Sequence, residues 1–265
     1  MGLIGTLTSG VSALRTFSKG LEVIGNNIAN VNTTAFKASN ANFSDTFSNT
    51  LRSATTAAGD AAVQVGTGVQ ISSISTNYTQ GSFAGTGVVT DLGISGAGYF
   101  VVRNGTQNFA TRNGAFTFDS SGNLVNEQGY RVLGSDGSPI VAANYEDVAS
   151  VSIGSDGLVS IFYADGTTDT SQKVGLLKVP EESKLMKMGN SLFDFSATGA
   201  AVTDIAEAGT SGLGSIKSGV LEQSNVDLTD QFSNLITTQR SFQAGSRLIT
   251  VSDSVLEDIV NLKRN

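Results

Sequence analysis

Apolar residues recur at every seventh position near both ends of this chain and at every second position between them. Leu7, Leu14, Leu21 and Ile28 fall seven apart, and Ile4, Val11, Phe17, Ile24 and Val31 widen the same stripe. Leu228, Leu235, Phe242, Ile249 and Leu256 repeat the spacing at the other end, flanked by Phe232, Ile236, Leu248, Val255, Ile259 and Leu262. Such stripes line one face of an amphipathic helix. Between them, "GVQISSIS", "GAFTFDSSGNLVNEQGYRVLG" and "ASVSIGSDGLVSIFYADGTT" alternate apolar with polar or small residues, as half-buried strands do. Asp136-Gly137, Asp156-Gly157, Asp165-Gly166 and "SSGN" at 120–123 have the composition of hairpin turns.

These periods predict an α+β chain. Residues 1–36 and 222–265 are expected to pair their amphipathic helices in a coiled-coil-like domain, and residues 67–221 to form an inserted all-β domain. Residues 37–66 read as an extended linker, because "LRSATTAAGDAAVQVGTG" (51–68) offers few large apolar side chains. "SATGAAVTDIAEAGTSGLGSIKSG" is equally thin and reads as a long loop.

Composition removes most catalytic classes. The chain has no His and no Cys, hence no thiolate and neither of the commonest metal ligands. A net charge of −7 with scattered Lys and Arg speaks against nucleic acid. No run of 18 apolar residues exists to span a bilayer, so membrane insertion is not expected. Thr6, Thr8, Ser9 and Ser12 interrupt the opening apolar stretch, and no positive charge precedes Arg15, so no cleavable signal peptide is expected. "GTGV" and "SGAGYF" lack the spacing of a phosphate-binding loop, and adjacent Glu181 and Glu182 point apart on an extended chain. Lys19 and Glu22 suit a local helical pair, and Arg112 and Arg131 suit ion pairs in strands. Catalytic, cofactor and metal sites are therefore all expected to be absent.

One feature resists a purely structural account. Asn26, Asn27, Asn30 and Asn32 crowd the end of the first helix, although asparagine is a mediocre helix former. They serve either as caps on the helix end or as a polar belt between identical subunits.

The stretch "LEVIGNNIANVNTTAFK" resembles the N-terminal signature of bacterial flagellar hook and rod axial proteins. "SNVDLTDQFSNLITTQRSFQAGSRLITVSDSVLEDIVNLKR" resembles their C-terminal signature, and "ATRNGAFTFDSSGNLVNEQGYRVLG" their central β domain. The resemblance implies a structural subunit of the flagellar axial tube, either hook protein or distal rod protein. A proximal rod protein is an alternative, and a secreted β-rich adhesin is the alternative from another class. It implies a helical homopolymer that transmits motor torque and forms the export channel. Adjoining rod, hook or junction proteins and the export apparatus would be its partners. Its place would be the periplasmic rod or the extracellular hook. By the same resemblance the paired helices line the inner core, with Asn26, Asn27, Asn30, Asn32, Phe36 and Lys37 at the turn leaving it. Gln239, Arg240, Phe242 and Gln243 fall in the family's "QRSFQ" pattern. Subunit packing is expected at Leu7, Leu14, Leu21, Asn26, Asn27, Ile28, Asn30, Phe36, Leu228, Leu235, Gln239, Arg240, Phe242, Ile249 and Leu256.

Overall fold

The computed structural model describes residues 2–52, 63–143 and 145–264. It is an α+β structure with a helix at each end, α1 (Gly2–Ala29) and α2 (Leu228–Arg264), and a β-rich region between. The start of α2 is set by Asp227, whose carboxylate accepts from the backbone N–H groups of Thr229 at 2.8 Å and Asp230 at 3.3 Å. That is the N-cap geometry, which satisfies donors that have no partner inside the helix.

The chain forms two compact units. One comprises Met1–Asn30, Ala38–Asn77 and Val226–Asn265, and the other Val31–Lys37 and Tyr78–Asn225. Neither follows the limits read from the sequence. The stretch 37–66 is not a plain linker, because it contains β1 (Ser39–Asp45) and β2 (Ser48–Arg52). β2 pairs antiparallel with β3 (Val63–Gly66), and β1 pairs antiparallel with β4 (Val69–Thr76) in a register running from Ser39↔Thr76 to Asp45↔Val69. Phe43 explains the difference. It leaves β1 to meet Phe17 of α1 edge-on, ring centres 6.0 Å apart, so this aromatic helps hold the strand on the helix. Residues 53–62, the thinnest part of the expected linker, lie outside the described residues.

The second unit is built on a nine-stranded sheet. Its central strand, Tyr99–Asn104, carries the run "YFVV", buried at all four positions. Alternation along the strand sends Phe100 and Val102 into one core, with Leu92, Phe116, Leu124 and Ile161. It sends Tyr99 and Val101 into a second core on the other face, with Leu133, Leu177, Phe193 and Ile205. A strand covered on both faces needs no polar residue, which is why this stretch lacks the apolar–polar alternation of its neighbours. A separate three-stranded antiparallel sheet runs Val148–Ile153, Leu158–Tyr163 and Thr168–Lys173. Its two hairpins turn at the expected Asp-Gly pairs. Gly157 and Gly166 take φ of 86° and 84°, and the preceding aspartates accept from the backbone N–H of Leu158 and Thr167. The stretch expected to be a long loop carries strands Ile205–Glu207 and Ser215–Ser218, which use only a few large side chains each to complete the two cores.

Candidate functional site

Along α1 and α2 the contacts run in opposite senses. A Cβ on Gly10 would lie 3.1 Å from Ile249 Cγ1, and one on Gly20 would lie 3.6 Å from Thr238 Cγ2. Leu14 comes within 3.4 Å of a Cβ placed on Gly245. Gln231 meets Asn27. The glycines hold the helices close, at about 1 kcal/mol of helix propensity each relative to alanine.

Leu7, Leu14, Leu21, Ile28, Leu235 and Ile249 are half-buried. Leu228, Phe242 and Leu256 remain 40%, 36% and 39% exposed, so this unit alone does not cover them. Gln239 and Arg240 are also exposed. Phe36 stands apart from the others. It belongs to the β-rich unit, where the Lys187 ammonium lies 5.1 Å from its ring centre.

The asparagines divide into two roles. Asn27 is fully buried. Its Nδ2 donates to the Ser39 carbonyl at 2.8 Å and to Gln231 Oε1 at 3.0 Å, and its Oδ1 accepts from the Ser39 N–H at 3.0 Å. One side chain thus ties the end of α1 to the first residue of β1 and to the first turns of α2. Asn30 acts locally, its Nδ2 donating to the Asn26 carbonyl at 2.9 Å and to Asn26 Oδ1 at 2.8 Å. Asn26 is exposed. Asn27 finds its partners within its own unit, and Asn26 with Asn30 caps a helix end.

Beyond α1 lies a buried ionic cluster that the sequence did not announce. The Lys37 ammonium donates to Glu222 Oε1 at 2.6 Å and to the Thr79 carbonyl at 2.8 Å. The same Oε1 accepts from the Gly81 N–H at 2.9 Å. Arg112 Nη1 lies 3.5 Å from Glu222 Oε2, an ion pair beyond ordinary hydrogen-bond length. Its guanidinium sits 4.9 Å from the Tyr99 ring centre. The Tyr99 hydroxyl donates to Glu182 at 3.0 Å. Burial pushes Lys37 below the ordinary lysine range, against the raising effect of Glu222.

In the sequence Arg112 reads only as a strand residue suited to an ion pair. Glu222 and Tyr99 gave no signal, because nothing in a local pattern shows that a carboxylate will be dry. Lys19 and Glu22 form the expected exposed helical pair at 2.6 Å.

Burial, aided by the Glu182 charge, raises the Tyr99 hydroxyl well above its ordinary 10.0. Above pH 10 the unfolded chain loses this proton and the folded chain keeps it. The stability Tyr99 contributes is therefore whole below pH 10 and falls as pH rises further. Tyr99→Phe should cost about 1 kcal/mol at pH 7 through the lost hydrogen bond and flatten the decline between about pH 10 and 11.5, read by urea unfolding.

Among the described residues no group of three or more His, Cys, Asp or Glu is placed to hold a metal ion, and no helix is long and apolar enough to cross a membrane. What the geometry offers is structural: an antiparallel helix contact, an amide clamp, a buried ionic cluster and an uncovered apolar surface on α2.

Comparison with known proteins gives this a family. Residues 7–37 match the family model for flagella basal body rod protein, residues 93–161 that for the flagellar hook protein FlgE/F/G D1 domain, and residues 217–262 that for the flagellar basal body rod FlgEFG protein C-terminal. The flagellar basal-body rod protein FlgG of Bacillus subtilis is 40% identical over 266 residues, covering 99% of this chain and 100% of that protein. The rod protein of the same name from Borreliella burgdorferi is 32% identical, over 100% of this chain and 99% of its own length. The flagellar hook protein FlgE of Treponema pallidum is 46% identical over 134 residues, 49% of this chain and 29% of that protein. With relatives aligned from end to end and family models matching both helical ends and the β-rich middle, the chain belongs to the bacterial flagellar rod and hook protein family, structural subunits of the flagellar axis.

Proposed function

We propose that this chain is a rod subunit of the flagellar basal body rather than a hook subunit. The observation that carries this reading is matched length. The Bacillus rod protein aligns at 40% identity over 266 residues, against 265 in this chain, whereas the flagellar hook protein FlgE of Borreliella burgdorferi, although covered over 99% of its length, takes 438 aligned residues at 26% identity. The subunits assemble as a helical homopolymer. α1 and α2 pair in a coiled-coil-like manner and line the inside of the tube. The tube transmits torque and carries exported chains, and it meets adjoining rod, hook or junction proteins at its ends. The chain reaches the periplasmic rod through the flagellar export apparatus, and its role is structural rather than catalytic.

The half-exposed residues support self-association. Leu228, Phe242 and Leu256 continue the stripe that includes Leu235 and Ile249, yet only the latter two are half-buried. A second copy of the chain gives the uncovered part a partner. In this reading Leu7, Leu14, Leu21, Ile28, Leu235, Gln239, Arg240 and Ile249 shape the subunit contact, and Phe36 braces the chain leaving α1.

Leu14→Asp and Leu235→Asp each put a charge on this seam. Either is expected to raise the critical concentration for assembly at least about tenfold, the equivalent of roughly 1.4 kcal/mol per contact. The melting of the β-rich unit should stay unchanged. Normal assembly by both variants would refute the seam. The choice of rod over hook is tested by supplying the chain to Bacillus subtilis cells lacking either their own basal-body rod protein or their hook protein. Recovery of motility in the second strain alone would overturn it.

A further inference from the structure

α2 carries two apolar rows that its own unit leaves uncovered, and they lie on opposite flanks of the side that meets α1. Gln231, Thr238, Gly245, Ile249 and Ser252 mark that side, through the Asn27 hydrogen bond, the contacts with α1 and burial. At 3.6 residues per turn, Phe232 and Ile236 fall on one flank of it, and Val251 and Val255 on the other, with Leu248 at the border, its Cδ2 3.4 Å from a Cβ placed on Gly10 of α1. All five are exposed: 50% and 58% for the first row, 61% and 38% for the second, and 45% for Leu248.

We propose that the two rows are the halves of one contact between successive copies of this chain, the Phe232 row of one subunit seating on the Val251 row of the next. This rests on the self-association proposed above. A helical polymer is built from heterologous contacts, in which two different patches meet, and its symmetry runs equivalent helices in the same sense. Two parallel copies of α2 must then be offset along their axes, and the residues fix the offset. Phe232 is nineteen positions before Val251, and Ile236 is nineteen before Val255. One shift aligns both pairs, an axial stagger of about 28 Å at 1.5 Å per residue.

Charge agrees with this register. Arg240 follows Ile236 by one turn and Asp258 follows Val255 by about one turn, both exposed. They are eighteen positions apart, so the same shift brings the guanidinium beside the carboxylate. Both sit at the edge of the contact away from α1, where rim charges select register.

The test replaces Phe232 with a benzophenone-bearing phenylalanine in the full-length chain. The chain is co-assembled with isotope-labelled copies, irradiated, and its adducts are mapped by mass spectrometry. The expected adducts join position 232 to residues 248–255 of a different copy, and the probe at 255 returns adducts around 236. Polymers whose adducts fall on α1 or within the same chain overturn the proposed register but leave self-association standing. Absence of any polymer from the unsubstituted chain overturns both. Charge reversal gives a reading free of the probe. Arg240→Asp should raise the critical concentration about threefold, and adding Asp258→Arg should restore it. An unrestored double variant counts against the register.

Discussion

Glu222→Ala should lower the stability of the β-rich unit by about 3–5 kcal/mol, the range for a buried ion pair that loses one partner. The Lys37 and Glu222 side chains are 0% exposed and that of Arg112 is 4% exposed, so water cannot take over the lost contacts. Counting charges ranks the variants. Removing Glu222 leaves two buried cations and strips the Gly81 N–H of its acceptor. Lys37→Met instead leaves one cation facing one anion, and should cost less. Replacing all three with apolar residues of similar volume should recover most of the loss, because the dehydration of the ions is then no longer needed.

The loss should also depend on pH, in a stated direction. Burial already holds folded Lys37 below its ordinary 10.5, and Glu222 opposes that shift. Without Glu222 the folded lysine releases its proton more readily still. Between its folded value and 10.5 the unfolded chain binds more protons, so stability rises with pH in that window. Urea unfolding at pH 7 and pH 9.5 should therefore show the Glu222→Ala deficit shrinking at the higher pH. A deficit that is constant, or that grows, would mean Lys37 stays charged in the variant.

The Lys37–Glu222 contact spans 185 residues and the Asn27–Gln231 contact 204, and that separation marks what a sequence reading reaches. The two helices were legible because a helical face repeats within one element, where every spacing is local. The Asp-Gly hairpins were legible for the same reason, each turn being decided by its own four residues. The cores were half legible. "YFVV" announces burial, but only the sheet's neighbours decide that both faces are covered. The strands within 37–66 were not legible because what anchors them is distant in sequence: Phe43 meets Phe17, and Ser39 meets the Asn27 side chain. Of the candidate residues, the stripes were read by period and the asparagines by composition. Composition signals a cluster of amides but not which member is turned inward. Asn27 and Asn30 are one turn apart, and only Asn27 has Ser39 and Gln231 within reach.

That distinction sets the last expectation. Asn27→Ala should destabilise the helical unit by about 2–3 kcal/mol, while Asn30→Ala costs less than about 1 kcal/mol. The first substitution strands three groups at once: the Ser39 N–H, the Ser39 carbonyl and the Gln231 amide oxygen. An orphaned buried polar group costs about 1–3 kcal/mol, partly relieved here because Ser39 is only half-buried. The second removes bonds to Asn26 at the end of the helix, within reach of water, which replaces them. Asn27→Asp separates size from chemistry. Its retained oxygen still accepts from the Ser39 N–H, but its second oxygen faces the Ser39 carbonyl and Gln231 Oε1 where a donor stood. It should therefore be at least as damaging as alanine at neutral pH, despite its matching shape. Hydrogen exchange gives the local readout, because the Ser39 amide donates directly to Asn27. It should lose protection in both Asn27 variants and keep it in Asn30→Ala. Unchanged protection at Ser39 in Asn27→Ala would show that β1 is held on the helices by Phe43 and its strand partner alone, with the amide clamp secondary.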